Sequence, residues 1–332
     1  MIEIVKIFIS SILAFIIIYL LGAFFLESCM EAIYDDTLQI ACPRQGIKEY
    51  SRSENWCTNQ YGKLGFEIHD EYKLNHNKNK ILIYGDSYVE AKMLPWYQRV
   101  QNQIQNDKYD VLGIGCSGWS SIEFNDIMHR YKAIIKQDIM HVIILADIND
   151  VLPSENNSFT NRKPRLRQVK SNIFRRFVIK YKANIIYHLY KKLISQKLNF
   201  NIKEKNNFFK ENYQALNNEH YWYEMLNVMK SNSPNGNLLF IYIPTVPRIH
   251  HNKLDFIDDS GDIAMAFQKA CKDNNVGFIN LVETEIRYYH ETKRFCRGFP
   301  LSRPGEGHCN ADGHRLIAQA IEEYINQCNL LK

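Results

Sequence analysis

Five short apolar runs recur along the chain and constrain its fold more strongly than any other feature. They occupy residues 80–84, 109–115, 141–146, 238–243 and 277–282. A strand with one face in water alternates apolar and polar side chains, whereas a strand covered on both faces, as in a parallel sheet, is apolar throughout. The five runs therefore predict the strands of a buried parallel sheet.

Segments with helical periodicity lie between and after these runs. They span residues 121–136, 221–229, 262–273 and 311–328. In the last of them, Leu316, Ile317 and Ile321 fall on one face of a helix. Because strands that alternate with helices are typical of α/β folds, we predict one layered α/β domain over residues 80–328.

Residues 7–26 form a run of 20 residues without a charged side chain. At 1.5 Å per residue, this length crosses a hydrocarbon core of ~30 Å and predicts one transmembrane helix. Lys6 precedes the run, whereas Glu27 and Glu31 follow it. This charge asymmetry predicts a single-pass protein of the cell membrane, with residues 1–6 in the cytoplasm and the ~300 residues after the run outside. The alternative is a cleaved signal peptide, whose apolar region is usually shorter.

Two further segments stand apart from the α/β pattern. Residues 27–79 are polar and irregular, and we predict a stalk and the start of the domain. Residues 151–218 are too long for a simple crossover and predict a basic helical insertion. Residues 162–197 contain 12 Lys and Arg and no acid, so the rest of a chain of net charge +5 carries 5 − 12 = −7.

The basic insertion has two interpretations. One is a pair of helices with a solvated basic face. The other is contact with anionic lipid headgroups or with an anionic polymer. Because the positive charge is confined to one insertion of an exported chain, we expect no nucleic acid partner.

The chain has eight cysteines, which agrees with export. Cys42 with Cys57 and Cys296 with Cys309 are candidate disulfide pairs, and the alternative is that these cysteines are buried free thiols. The cysteine spacing does not suggest zinc. The adjacent histidines at 250 and 251 are expected in a loop, so we predict no metal site and no cofactor.

Polar motifs stand at the predicted strand ends. They are Gly85-Asp86-Ser87 after the first run, Cys116-Ser117-Gly118-Trp119 after the second, Asp147-Ile148-Asn149-Asp150 after the third and the stretch from Glu306 to Arg315 before the last helix. Because parallel strands end at one shared edge, where α/β sheets hold their ligands, we expect these motifs to lie together.

The four motifs, in the order Ser, Gly, Asn and His, resemble the blocks of the SGNH/GDSL hydrolase family over residues 80–328. This resemblance implies a flavodoxin-like, three-layer α/β/α fold. It also implies that Ser87 is the nucleophile and His308 the general base. The N–H groups of Ser87 and Gly118 and the side chain of Asn149 would then form the oxyanion hole.

One position departs from the family pattern. The family usually places an aspartate three residues before the histidine, and this chain has Gly305 there. Glu306 stands two residues before His308 and is the candidate for orienting its ring. The alternative is a Ser–His dyad in which a backbone carbonyl orients the histidine.

The resemblance and the anchor together predict an esterase that acts on an acylated glycan or a lipid ester. One alternative is a glycan O-acetyltransferase of the same fold, working beside a membrane protein that supplies the acyl group. A second alternative is a non-catalytic, membrane-anchored scaffold that binds an anionic polymer through the basic insertion.

Several other side chains near these motifs are expected to have structural roles. Asp86 is expected to shape the turn before Ser87, His314 to pack or cap a helix, and Cys116 to be a buried thiol. Trp119, Tyr221 and Trp222 are expected in the core rather than on a sugar-stacking surface.

Overall fold

The computed structural model of the protein describes most of the predicted α/β domain. The described residues are 6, 8, 10–15, 17, 32–35, 40–43, 48–51, 57–104, 106–135, 137–152, 219–299 and 304–328. The chain divides into two compact units, Met1–Glu31 with Arg165–Asn217, and Ala32–Pro164 with Asn218–Lys332. The second unit contains the sheet and all the polar motifs.

Two antiparallel hairpins come first in the second unit, namely β1 (Ala32–Asp35) with β2 (Ile40–Pro43) and β3 (Lys48–Ser51) with β4 (Cys57–Gln60). The central sheet follows, built from β5 (Asn79–Gly85), β6 (Tyr109–Gly115), β7 (Asp138–Leu145), β8 (Leu238–Tyr242) and β11 (Gly277–Asn280). A third hairpin, β9 (Arg248–His250) with β10 (Lys253–Asp255), lies between β8 and β11 in the chain.

The central sheet is parallel throughout, with the spatial order β11-β8-β7-β5-β6. Its five strands coincide with the five apolar runs, so the predicted parallel sheet is confirmed. Numbered along the chain, the order reads 2-1-3-4-5, which is the flavodoxin-like order of doubly wound sheets. The strand order reverses beside β5, and Ser87 follows that strand.

Eight helices of the described residues surround the sheet. They are α1 (Ile68–Lys73), α2 (Ser87–Glu90), α3 (Val100–Gln103), α4 (Ser121–Ile134), α5 (Glu219–Asn232), α6 (Gly261–Asp273), α7 (Val282–Thr292) and α8 (Ala311–Cys328). The four predicted helices are α4, α5, α6 and α8. The periodicity identified in the sequence did not include α7, along which only Glu285 and Tyr288 are buried.

Helices cover both faces of the sheet, which confirms the three layers. On one face, Ile83 and Val142 pack in the same cluster as Ile317 and Ile321 of α8. On the other face, the ring of Phe240 lies 5.2 Å from that of Phe267 in α6. Trp222 of α5 packs against the same Phe267 at 5.5 Å, and Trp119 and Tyr221 are also buried, as predicted for the core.

The end of the segment predicted to form a stalk and the start of the domain packs closely on that domain. Cys57 Sγ donates to the Met93 carbonyl at 3.2 Å, and Asn59 Nδ2 donates to the Lys92 carbonyl at 2.9 Å. Phe66 is fully buried. The compact domain therefore begins before the first apolar run.

Two other predicted segments lie largely outside the described residues. Of the predicted anchor, residues 8, 10–15 and 17 are described, and they are helical. No helix within the described ranges is long and apolar enough to cross a membrane. Of the predicted basic insertion, only residues 151 and 152 are described.

The described cysteines are free thiols. Cys57, Cys296 and Cys309 are all buried, as the free-thiol interpretation expected. The side chain of Cys42 lies outside the described residues. Cys116 is completely buried, in agreement with its expected role as a buried thiol.

Candidate active site

Ser87 opens α2 directly after β5, at the carboxyl edge of the sheet. Asp86 caps this short helix, because its side chain accepts from the Tyr88 N–H at 2.9 Å. The helix lies against the end of β6, where a Cβ on Gly115 would come within 2.5 Å of the backbone of Asp86 and Glu90. Only glycine at position 115 allows α2 to present Ser87 at this edge.

His308 lies directly beside Ser87. The distance from His308 Nε2 to Ser87 Oγ is 3.0 Å, and both residues are half-buried. Ser87 Oγ also lies 3.5 Å from Asp86 Oδ2, and burial raises the pKa of Asp86. The structure thus brings together the two residues that the sequence assigned as nucleophile and base.

The loop that carries His308 is held at both ends by backbone hydrogen bonds. The Gly298 N–H donates to the His308 carbonyl at 3.0 Å, and the Asn310 N–H donates to the Cys296 carbonyl at 3.0 Å. Asn310 Oδ1 then accepts from the Asp312 and Gly313 N–H groups, at 3.0 and 3.2 Å, and caps α8. This cap therefore fixes the direction in which α8 leaves the His308 loop.

Tyr88 and Arg297 hold the His308 loop in place through hydrogen bonds to its backbone. Neither residue was predicted from the sequence. The Tyr88 ring lies 4.9 Å from the His308 ring, and its hydroxyl donates to the Gly307 carbonyl at 3.0 Å. Burial raises the pKa of Tyr88 to about 12, so the hydroxyl keeps its proton at neutral pH. Tyr88 follows the nucleophile in sequence, and it therefore connects Ser87 to the loop of its base.

Arg297 is almost fully buried and donates hydrogen bonds to both Tyr88 and the His308 loop. Its guanidinium binds the Tyr88 hydroxyl, the Gly307 carbonyl at 3.3 Å, the Pro244 carbonyl at 2.8 Å and the Ile243 carbonyl at 2.9 Å. These acceptors belong to the end of β8 and to the His308 loop. A buried cation that joins them fixes the loop to the sheet.

Glu285 of α7 is a buried carboxyl group near Arg297. Burial raises the pKa of Glu285 to about 8, and the nearby guanidinium opposes this increase. The Glu285 carboxyl is therefore largely protonated at neutral pH, and the buried Arg297 cation is held by its carbonyl and hydroxyl acceptors. Glu285 makes no direct contribution to the Ser87–His308 pair in the described structure.

We expect Tyr88→Phe to lower kcat roughly tenfold at nearly constant KM. The substitution keeps the ring against His308 but removes the hydroxyl that joins Arg297 to the Gly307 carbonyl, so the base is held less accurately. Steady-state kinetics on a small ester would measure the effect. Tyr223→Phe, on an exposed tyrosine of α5, is the matched control, and an unchanged kcat in Tyr88→Phe would contradict this role.

Gly118 lies in the turn after β6, which is the neighbour of β5. Its φ is +86°, and no atom lies within 4 Å of the position that a Cβ would occupy. The turn is held by Glu90 at the end of α2, which accepts from Ser117 Oγ at 2.9 Å and from the Ser117 N–H at 3.3 Å. Lys92 Nζ lies 3.1 Å from the other carboxylate oxygen of Glu90.

Asn149 lies in a short 3-10 turn, Ile148–Val151, that follows β7 on the other side of β5. Its side chain is outside the described part of the structure. The backbone therefore brings the third motif to the same edge as Ser87, and the position of the amide group remains a prediction.

Glu306 lies in the His308 loop between two glycines with positive φ, Gly305 at +78° and Gly307 at +81°. A Cβ on Gly305 would come within 3.0 Å of Arg248 Cα and 3.1 Å of the Pro247 carbonyl oxygen. This crowding, together with the positive φ, explains why position 305 is a glycine. Glu306 is half-buried, and its role as orienter remains a prediction.

The other histidines named from the sequence have structural positions. His314 is buried in α8, where its Nδ1 accepts from the Val100 N–H at 3.1 Å. Burial lowers the pKa of His314 to about 3, so it stays neutral and packs as expected. His250 ends β9, whereas His251 lies in the hairpin turn, so the expected loop is in fact a β-hairpin.

Comparisons with known proteins were made by family model, by sequence and by structure. No family model and no curated protein matches the chain. A lipolytic protein of the G-D-S-L family from Veillonella parvula has a similar structure, with 12% identity, a TM-score of 0.41 and coverage of 74% of this chain and 98% of that one.

Two more solved structures are similar at the same level. An acetylxylan esterase from Geobacillus stearothermophilus is 16% identical, with a TM-score of 0.39 and coverage of 74% of this chain and 94% of that one. A putative acylhydrolase from Bacteroides fragilis is 13% identical, with a TM-score of 0.37 and coverage of 79% and 95%. Because these values are low, an activity has to be inferred from the site itself.

Proposed function

We propose that the protein is a serine hydrolase of carboxylic O-acyl esters that works through an acyl-enzyme on Ser87. The observation that carries this proposal is the 3.0 Å distance between His308 Nε2 and Ser87 Oγ. A serine hydroxyl is a weak nucleophile, and a hydrogen-bonded histidine activates it. Histidine also exchanges protons near neutral pH, as both half-reactions require.

The reaction has two half-reactions. Ser87 Oγ attacks the ester carbonyl carbon while His308 Nε2 accepts the Oγ proton. The tetrahedral intermediate collapses when the bond to the alcohol oxygen breaks, and His308 protonates the leaving alcohol. Water then attacks the acyl group on Ser87, His308 takes the water proton, and Ser87 Oγ regains a proton as the acid departs.

We assign the oxyanion to the N–H groups of Ser87 and Gly118 and to the side chain of Asn149. This assignment is supported by the positions of the three residues after adjacent strands, β5, β6 and β7, and by the open face of Gly118. Removal of one oxyanion donor typically lowers the rate by ~10²–10³.

We assign Glu306 as the carboxylate that orients the His308 ring. Its place in the His308 loop supports this role, and crowding at Gly305 excludes an acid from the alternative position. A carboxylate on the distal ring nitrogen would select the tautomer in which Nε2 accepts the Ser87 proton.

The proposed substrate is an acylated glycan or a lipid ester outside the cytoplasm. Water as the acceptor makes the enzyme an esterase, whereas a sugar hydroxyl as the acceptor makes it an O-acetyltransferase with a membrane partner that supplies the acyl group. Product analysis separates these outcomes, because hydrolysis releases free acid and transfer leaves the acyl group on the sugar.

The chemical proposal is tested on the full chain in detergent, with p-nitrophenyl acetate and with a serine-directed fluorophosphonate. We expect turnover of the ester and one covalent label, formed when Ser87 Oγ displaces fluoride from phosphorus. No turnover and no label would overturn the proposal in favour of a non-catalytic scaffold.

We further propose that residues 7–26 anchor the protein in the cell membrane, with the catalytic domain outside the cytoplasm. The described part of this segment is helical, and Phe8, Leu13 and Phe15 are 66%, 58% and 69% exposed. A helix that exposes such side chains is stabilised by burial in lipid.

This topology predicts the activity of a phosphatase fused to the carboxyl terminus, because the reporter folds only outside the cytoplasm. We expect an active fusion in intact cells, with a cytoplasmic reporter fused at the same position as the control. An inactive phosphatase fusion together with an active cytoplasmic reporter would overturn the outward orientation.

A further inference from the structure

Five aromatic rings form a row along the side of the domain next to the edge strand β6. We call them the aromatic row, and they are His69, Tyr72, His76, Trp96 and Tyr97. The Trp96 ring stacks on His69 at 4.5 Å with 5° between the planes, and it lies edge-on to Tyr97 at 6.2 Å with 89° between the planes. Tyr72 follows His69 by one turn of α1 and lies edge-on to His76 at 6.0 Å, also with 89° between the planes.

The rings of the aromatic row are exposed rather than buried. Trp96 is 40%, Tyr97 58% and Tyr72 70% exposed. Trp119 and Trp222 are buried in the core, so they do not offer a surface for stacking. An indole that is only partly covered in water exposes a large apolar area, and several such rings in a line mark a binding surface.

The aromatic row stands on a rigid support. Lys73 Nζ joins α1 to α3, because it binds Asp70 Oδ1 at 2.9 Å and Asn102 Oδ1 at 2.7 Å. Gln101 Nε2 binds the second oxygen of the buried Asp70 at 2.8 Å. Asn102 Nδ2 in turn donates to the Trp96 carbonyl at 2.9 Å. These hydrogen bonds fix α1, α3 and the Trp96 backbone relative to one another, which lowers the entropic cost of binding.

The lysines beside the rings are balanced by carboxylates. Lys73 lies 2.9 Å from Asp70, and Lys78 and Lys80 lie 4.0 and 3.6 Å from Asp110, which His76 also contacts at 3.0 Å. Glu67 lies 2.9 Å from His69, so three lysines stand beside three carboxylates. A surface for nucleic acid or anionic lipid would instead present free cations to phosphate groups. The charge pairing favours a neutral ligand with flat apolar faces.

The elements that carry the aromatic row also contact other parts of the domain. Gln103 Nε2, in α3 beside Trp96, donates at 3.2 Å to the carbonyl of Ala311, the first residue of α8. His76 lies 3.0 Å from Asp110, near the beginning of β6.

We propose that the aromatic row binds a neutral polysaccharide chain. The C–H face of a sugar ring would stack on an exposed aromatic face such as that of Trp96, the other rings would contact neighbouring sugars by face or edge, and the sugar hydroxyls would remain in water. Binding of a polysaccharide to the aromatic row does not depend on the proposed function. The role of the row in catalysis does rest on the proposed function, because the row would make the acylated substrate a glycan rather than a lipid.

The test measures binding of cellohexaose, xylohexaose and chitohexaose to the full chain in detergent, by tryptophan fluorescence and calorimetry. We expect saturable binding of at least one hexasaccharide, and weaker binding of the matching disaccharide. Trp96→Ala should weaken the hexasaccharide roughly tenfold, and Tyr72→Ala and Tyr97→Ala should each weaken it several-fold. Tyr223→Ala, which removes a tyrosine that is 57% exposed on α5, is the matched control.

Three results would overturn the inference. They are no saturable binding of any hexasaccharide, equal binding by wild type and all three row variants, and tighter binding of oligothymidylate or phosphatidylglycerol vesicles than of sugar. The variants should hydrolyse p-nitrophenyl acetate at the wild-type rate. Sugar binding that depends on Trp96 in a chain without esterase activity would refute the proposed function and leave the binding site intact.

Discussion

Ser87→Ala is expected to lower kcat for p-nitrophenyl acetate by about 10⁴–10⁶, the range that loss of a catalytic serine produces. His308 Nε2 would then have no hydroxyl to deprotonate within the 3.0 Å contact that it makes in the wild type. His308→Ala should lower kcat to a similar extent. The double variant should be hardly slower than either single one, because the two residues act as a unit.

The controls for this prediction separate chemistry from folding. Ser231→Ala and His220→Ala change an exposed serine and an exposed histidine of α5, and both should keep wild-type kcat. Ser87 is half-buried, and replacement of its hydroxyl should leave the melting temperature close to that of wild type. Turnover by Ser87→Ala within tenfold of wild type would contradict the acyl-enzyme mechanism.

Glu306→Gln is expected to lower kcat by roughly 10²–10⁴, with little change in KM. The amide keeps the size of the side chain but removes the negative charge that stabilises the protonated His308 ring in the transition state. Steady-state kinetics on the same ester would measure the effect. Glu291→Gln, on an exposed position of α7, is the matched control.

The same experiment decides between a triad and a dyad. A near-wild-type kcat in both Glu306→Gln and Glu306→Ala would show that a backbone carbonyl orients His308. Addition of Gly305→Asp to Glu306→Ala should not restore activity, because position 305 has a φ of +78° and a Cβ there would crowd Arg248 and Pro247. Restoration would mean that the loop rearranges to accept the family's usual acid position.

The sheet could be predicted from the sequence because burial on both faces leaves a local record. The second apolar run coincides with β6 at both ends, and the others agree with their strands to within a few residues. Helix α7 was not predicted from the sequence. The two residues that it buries against the domain, Glu285 and Tyr288, are a carboxylic acid and a phenol.

The residues of the candidate site could be predicted from the sequence, whereas the contacts that hold the His308 loop in place could not. Ser87, Gly118, Asn149 and His308 stand in ordered motifs at strand ends, and the parallel sheet brings strand ends to one edge. Arg297 stands in no such motif. Its role depends on carbonyls of β8 and of the His308 loop that only the folded chain brings within 3.3 Å of its guanidinium.

The sequence by itself therefore determined the strands, the long helices and the residues of the candidate site, because each depends on patterns within one segment. Only the tertiary structure decided how Tyr88 and Arg297 hold the base, why position 305 is glycine, and that Trp96 stacks on His69. These features depend on contacts between segments far apart in the chain, whose distances and directions are set when the segments pack against one another.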